Sequence, residues 1–140
     1  MSSFHRHEIR IPADMRELER VRSDVAQAIR IGGFPEAYTN RILIAVDEAV
    51  TNIIEHGYDD PSQGEIEVIC EVEPNTFTIS IFDQGESFDP RTSSVIDIQR
   101  HVEAGRTGGL GIFLIRKIMD VVDYHHESGQ HNRLTMVKRR

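Results

Sequence analysis

Apolar and polar residues alternate along several short segments of the chain, and such alternation predicts β-strands. Pro12 ends the first segment, and the short turns Pro74-Asn75 and Ser128-Gly129 join the other four into two hairpins. The five predicted strands are residues 5–11, 65–73, 76–83, 121–127 and 133–138.

Other segments repeat apolar residues every three or four positions, which predicts helices. Asp14 can cap the first helix and Gly32-Gly33 ends it, whereas Pro35 opens the second helix and Gly57 closes it. The predicted helices are residues 15–31, 35–56 and 112–119, with a shorter one at 95–103.

The order of these elements is a strand, two helices, two strands, a loop, a helix and two strands. This order predicts an α+β two-layer sandwich, in which a mixed, mostly antiparallel sheet carries helices on one face and leaves the other relatively open. A length of 140 residues suits a single domain spanning 1–140. The irregular segment 84–107 is unusually long for a compact domain, and such loops are often functional.

Charge and composition exclude several classes of protein. Sixteen Lys and Arg oppose 23 Asp and Glu, and the resulting net charge of −7 disfavours autonomous binding of DNA or RNA. An anionic ligand would need a local binding device. Without long apolar runs, neither a membrane span nor a secretory signal is expected. Cys70 is the single cysteine, which suits a reducing compartment and predicts a cytoplasmic protein.

Two polar residues on the second predicted helix are the first candidates for chemistry. Glu48 and Asn52 lie four residues apart, so their side chains are neighbours on one face. The carboxylate could accept a proton, and the carboxamide oxygen could bind a hard cation. A solvated helix face, with Arg41 and Glu55 on the same stripe, is the alternative interpretation.

The third candidate stands at the end of an apolar strand. The Asp83 carboxylate could accept a hydrogen bond from an exocyclic amine, and Gly85 would let a ring approach the backbone. An ordinary turn with Asp and Gly in their usual positions is the alternative.

A glycine cluster at residues 105–111 directly precedes the third predicted helix. Backbone N–H groups of such a segment can face an anion, and the helix N-terminus adds partial positive charge. The cluster lacks the Gly-Lys-Ser/Thr of a Walker A loop and does not begin a β-α-β unit, which argues against a dinucleotide fingerprint. A flexible hinge is the alternative.

Seven histidines raise the question of a metal centre. His5 and His7 would share one face of a strand, whereas His125 and His126 would point to opposite faces. No cysteine cluster or H-E-x-x-H accompanies them, so we interpret them as surface or interface residues. A G-x-S-x-G elbow is also absent, which argues against a Ser-His-Asp hydrolase.

The order and spacing of the three candidate segments resemble the Bergerat ATP-binding fold of the GHKL superfamily. The resemblance is closer still to the small serine kinases that act as anti-sigma factors in bacterial partner-switching systems. It covers most of the chain and is carried by AVDEAVTNIIEHGY, ISIFDQGESFDP and TGGLGIFLIRKIMD.

The resemblance implies a role for each candidate residue. Asn52 would ligate Mg²⁺ bridging the phosphates of ATP, and Glu48 would accept the proton of an incoming serine or threonine hydroxyl. Asp83 would bind the adenine amino group, with Gly85 allowing the base to pack. The phosphates would lie against the glycine segment, whose candidate residues are Arg106, Thr107, Gly108, Gly109, Leu110 and Gly111.

The same resemblance implies the activity and the partners. The chain would be an ATP-dependent protein-serine/threonine kinase and anti-sigma factor that phosphorylates a STAS-domain anti-anti-sigma protein, binds a sigma factor and forms a homodimer. An ATP-binding module that sequesters partners without phosphorylating them is the alternative. An ATP hydrolase or a detached histidine-kinase catalytic domain would normally need further domains.

Overall fold

The computed structural model describes residues 4–57, 64–84, 108–126 and 131–140. Within them, five strands form one sheet in the order β1-β2-β3-β5-β4, and each neighbouring pair is antiparallel. The strand prediction is therefore confirmed, although the described sheet is wholly antiparallel rather than mixed. The strands are β1 (His5–Pro12), β2 (Glu65–Val72), β3 (Thr76–Asp83), β4 (Val121–His126) and β5 (Asn132–Arg139).

Three α-helices lie within the described residues: α1 (Leu18–Gly32), α2 (Thr39–Asn52) and α3 (Gly108–Ile118). The predicted first and second helices were too long, because 3₁₀ turns precede α1 and α2 and a π-helical turn, Ile53–Gly57, follows α2. The predicted helix at 95–103 and the Ser128-Gly129 turn lie outside the described residues.

The start of α3 corrects a prediction. The glycine cluster was expected to precede a helix that begins at residue 112, but α3 begins at Gly108. Glycine disfavours helices because it loses more backbone entropy on folding than other residues, yet it can adopt helical dihedral angles. The first turn tolerates it, since the N–H groups there have no acceptor within the helix in any case. The last glycines of the cluster therefore belong to the helix itself.

Alternate residues of the central strands form the core beneath the helices. Burying one such Val, Ile or Phe side chain contributes about 1.5–3 kcal/mol, so this one face holds the layers together. The opposite face carries charged side chains among others; there the Nε of Arg10 lies 2.7 Å from Oε2 of Glu67. The buried apolar residues of β2 and β3 are Ile66, Val68, Cys70, Val72, Phe77, Ile79 and Ile81.

Ionic contacts fix the first two helices. The Asp14 carboxylate accepts a hydrogen bond from the backbone N–H of Arg16 (2.9 Å), as its predicted capping role requires. The side chain of Arg16 also binds this carboxylate and lowers the pKa of Asp14 to about 2. Arg22 on α1 reaches Asp47 on α2, with Nε 2.7 Å from Oδ2. This second contact ties α1 to the helix that carries Glu48.

The end of α1 depends on two glycines with different requirements. Gly33 has φ of +78°, a left-handed conformation that favours glycine, and its N–H donates to the carbonyl oxygen of Arg30. Gly32 lies against β2: a Cβ on it would stand 2.5 Å from the Cβ of Val72 and 3.0 Å from the carbonyl oxygen of that residue. The predicted helix stop is therefore confirmed, and Gly32 also permits close packing on the sheet.

We expect Gly32→Ala to lower the free energy of unfolding by about 3 kcal/mol, because the added methyl group overpacks against Val72. Gly33→Ala is expected to lower it by about 1–2 kcal/mol through its left-handed backbone. Urea denaturation measures both, with the exposed helical substitution Ser23→Ala as the control. Equal stability of Gly32→Ala and the unaltered protein would contradict the close approach.

Candidate functional site

The two candidates on α2 differ in exposure. Glu48 is partly buried, whereas Asn52 is only 5% exposed. The predicted solvated stripe is therefore wrong at Asn52, although Arg41 and Glu55 on it are exposed. The physical reason is that α2 packs against α1 on one flank and α3 on the other, which leaves less of its surface open than a lone surface helix would have.

Among the residues that the structure describes, the buried side-chain oxygen of Asn52 has no hydrogen-bond partner. Leaving such an acceptor unsatisfied costs about 1–3 kcal/mol, so native proteins contain few of them. An amide oxygen is a ligand that Mg²⁺ accepts, and Mg²⁺ at nucleotide sites is typically held by one or two protein oxygens and by phosphates. The orphaned oxygen therefore fits the metal role that the resemblance implies. Across the described ranges, no three His, Cys, Asp or Glu side chains are grouped to form a metal centre of their own.

Glu48 stands one helical turn before Asn52, with about 6 Å between Cβ atoms expected at this spacing. Burial raises the pKa of the Glu48 carboxyl above its ordinary value, and the negative charges of Asp47 and Glu55 raise it further. A higher pKa makes the carboxylate a stronger base. The arrangement suits proton acceptance close to a bound cation.

Asp83 lies at the end of β3 on the side of the sheet that the helices cover. Its position alternates with those of Ile79 and Ile81, which are fully buried, and Asp83 itself is 7% exposed. Asn52 and Asp83 thus lie on the same side of the sheet. Recognition of adenine by this carboxylate remains a prediction.

Two residues that the sequence did not point to are linked to this carboxylate by hydrogen bonds. One contacts the carboxylate itself, and the other contacts the first residue. The Nδ2 of Asn132 on β5 donates to Oδ1 of Asp83 at 2.9 Å, and the Oδ1 of Asn132 pairs with Nδ1 of His126 on β4. One signal was available in the sequence: Asn132 precedes Leu134 at a buried strand position, where an apolar residue is expected. The sequence indicated only a surface or interface position for His126.

The remaining candidates are described in part or not at all. Gly85, Arg106 and Thr107 lie outside the described residues, so their roles stay predictions. The backbone from Gly108 through Gly111, including Leu110, forms the first turn of α3. A helix N-terminus there retains the partial positive charge that attracts phosphate, and α3 packs against the helix that carries Glu48 and Asn52.

A cavity of about 490 Å³ opens beside the end of β3, and its lining includes Arg10, Glu67, Phe82, Asp83 and Gln84. Glu48 and Asn52 do not line it, so the cavity includes one candidate residue, Asp83, but neither of the two on α2.

In the part of the chain that the structure describes, no helix has both the length and the apolar character needed to cross a membrane. Cys70 is 2% exposed, and burial raises the pKa of its thiol to about 12. A thiol with that pKa stays protonated near neutral pH, so Cys70 is a core residue rather than a nucleophile.

Comparison with known proteins identifies the family. Residues 11–138 match the histidine kinase-like ATPase domain, and the chain belongs to that family. This confirms the resemblance and the fold class that were inferred from the three motifs.

Within the family, the chain is similar to proteins named serine-protein kinase RsbW. The protein from Bacillus thuringiensis strain Al Hakam is 32% identical over 133 residues, which cover 92% of this chain and 82% of that protein. The protein from Staphylococcus aureus strain MRSA252 is 33% identical over 127 residues, covering 87% of this chain and 80% of that protein.

Two solved structures share the fold. The crystal structure of the RsbU and RsbW domains of a Mycobacterium tuberculosis protein superposes with a TM-score of 0.63 at 20% identity, covering 95% of this chain and 32% of that longer chain. A histidine kinase domain of a blue-light activated kinase from Erythrobacter litoralis gives 0.56 at 15% identity, covering 92% and 61%. At these identities the likeness supports the fold alone.

The raised pKa of Glu48 predicts how its removal affects stability. A carboxyl whose folded pKa lies above its unfolded value destabilises the native state once pH exceeds the unfolded value, because the folded form resists ionisation. Glu48→Gln should therefore melt at a higher temperature than the unaltered protein at pH 7, and the gain should shrink as pH falls towards 4. Calorimetry across this range measures the effect. Glu73→Gln, at an exposed turn, is the control and should show no such gain.

Proposed function

We propose that the chain is an ATP-dependent protein-serine/threonine kinase and anti-sigma factor of a bacterial partner-switching system. The observation that carries the proposal is the juxtaposition on α2: a partly buried carboxylate, Glu48, stands one turn before Asn52. The side-chain oxygen of Asn52 is buried and has no hydrogen-bond partner within the described ranges. Similarity to serine-protein kinases named RsbW over most of the chain supports it.

Phosphoryl transfer needs positioning, neutralisation of phosphate charge and a base aimed at the nucleophile. In the proposal, Oδ1 of Asn52 would hold Mg²⁺, which would supply neutralisation of the negative charge on the phosphate oxygens. Asp83 would hold the adenine amino group beside Gly85. Glu48 accepts the proton of a serine or threonine hydroxyl while the oxygen of that hydroxyl bonds to the γ-phosphorus of ATP. The bond between the γ-phosphorus and the β,γ-bridging oxygen breaks, and ADP leaves with its electron pair.

The glycine segment completes the nucleotide site. The N-terminal turn of α3, with Gly109 and Gly111, faces the phosphates and offers its backbone N–H groups. Arg106 supplies a positive charge, and the candidates Thr107, Gly108 and Leu110 belong to the same segment. A chain of net charge −7 needs this local device to hold a triphosphate.

The proposed partners follow from the same function. The phosphorylated protein is a STAS-domain anti-anti-sigma factor, and the alternative partner is a sigma factor, so the protein regulates transcription without binding nucleic acid. In the proposal, the protein acts in the cytoplasm and forms a homodimer. Light scattering of the purified protein tests the dimer.

We expect Mg²⁺-ATP and the cognate STAS-domain protein to yield a phosphoserine or phosphothreonine on that protein. Glu48→Gln should lower the transfer rate by at least about 100-fold while ATP affinity changes little, because only the proton acceptor is lost. Asn52→Ala should weaken ATP binding in the presence of Mg²⁺ but not in its absence. Mass spectrometry and isothermal titration calorimetry give the two readouts, with Glu73→Gln as the control.

Each failure has a separate meaning. Nucleotide binding without any phosphorylated partner would leave the non-phosphorylating sequestering module as the function. Absence of binding to adenine nucleotides would contradict the nucleotide site as well. Full transfer by Glu48→Gln would show that another group accepts the proton.

The neighbouring charges predict the pH dependence of transfer. Activity should fall as pH drops through the raised pKa of Glu48, since a protonated carboxyl cannot accept the hydroxyl proton. Glu55→Gln removes one of the negative charges that raise this pKa, so it should move the acidic limb of the rate profile to lower pH. An unchanged limb in Glu55→Gln, with Glu73→Gln for comparison, would mean that the limb belongs to another group.

A further inference from the structure

We propose that Asn132 and His126 are positioning residues that orient the Asp83 carboxylate for the 6-amino group of the nucleotide base. The inference rests on the proposed function, which assigns Asp83 to adenine, and adds two residues on other strands. Neither residue is required to touch the nucleotide. They act through the carboxylate.

The two hydrogen bonds determine the orientation of the Asn132 amide and of the His126 ring. A carboxylate only accepts hydrogen bonds, so the Asn132 atom 2.9 Å from Asp83 must be the donor Nδ2. The amide oxygen of Asn132 then points to β4, where its partner is Nδ1 of His126. Because that oxygen can only accept, the imidazole carries a proton on Nδ1 and donates it.

The three residues occupy a single row across the sheet. Asn132 is the direct register partner of Asp83 on one side and of His126 on the other. Asn132 is 2% exposed, whereas the ring of His126 is exposed at the edge strand. The next row inward contains apolar Ile81, Leu134 and Tyr124 in its place. Polar residues therefore replace apolar ones at this single register position, where the strands end beside the apolar core.

This row affects recognition because it restricts rotation of the carboxylate. One oxygen of Asp83 is held by a buried amide, and that amide is itself prevented from turning over by His126. A carboxylate fixed in this way loses little further freedom when it accepts a hydrogen bond from an amine, which favours binding. A base with a carbonyl oxygen or a hydrogen at the same position gains nothing from this arrangement.

The test compares ATP with purine riboside triphosphate, which differs from ATP only in lacking the 6-amino group. Isothermal titration calorimetry gives the ratio of their dissociation constants for each variant. In the unaltered protein, we expect ATP to bind at least about tenfold more tightly, as for a hydrogen bond to a charged group. His126→Ala should reduce this ratio about threefold or more by weakening ATP binding while affinity for the other nucleotide is kept.

Two further variants separate positioning from structure. His126→Asn places an amide nitrogen where Nδ1 stands, so it should restore most of the ratio. His125→Ala is the matched control, because His125 is the adjacent exposed histidine but pairs with Arg133 and points to the opposite face. Its ratio should equal that of the unaltered protein. Asn132→Ala should reduce the ratio further, and the exposed His126 variants decide the matter if that variant fails to fold.

The outcomes distinguish the positioning role of His126 from the assignment of Asp83 to the amino group. If His126→Ala weakens both nucleotides equally, or leaves the ratio unchanged, the positioning role is wrong while the kinase proposal stands. If the unaltered protein itself binds both nucleotides equally, the assignment of Asp83 to the amino group is wrong, and the positioning role is lost with it.

Discussion

Antiparallel pairing of β3 with β2 and β5 decides on which side of the sheet each functional group lies. Side chains alternate along a strand, so the register that buries Phe77, Ile79 and Ile81 also turns Asp83 towards the helices. A shift of one residue would bury the polar positions and move Asp83 to the open face. The apolar core therefore specifies the position of the site, and α2 packs onto that core with Glu48 and Asn52 on its flank.

Much of this architecture was predictable because it follows from periodicity. Alternation identified all five strands, and the Gly32-Gly33 stop was correct because Gly33 needs a left-handed backbone. Helix limits were less predictable, since 3₁₀ and π turns have no distinct apolar period. The start of α3 was missed because Gly108, Gly109 and Gly111 are typical of a loop, although the first turn of a helix tolerates glycine.

The site was predictable in its residue types but not in its contacts. The spacing of Glu48 and Asn52 follows from the helix, whereas the burial of Asn52 depends on how neighbouring helices pack. Asn132 and His126 are linked to Asp83 although both lie at least 43 residues after it in the sequence. Only the strand register brings the three residues together. A single polar residue at an apolar position of β5 was the sole local sign.

The buried oxygen of Asn52, which has no hydrogen-bond partner among the described residues, bears on how the folded chain resists proteolysis. A buried acceptor without a partner lowers the free energy of unfolding. Any group that donated to or coordinated this oxygen would bind the folded chain alone and would therefore raise that free energy by mass action. Because proteases cleave the opened form, the same group would also lengthen the lifetime of the chain.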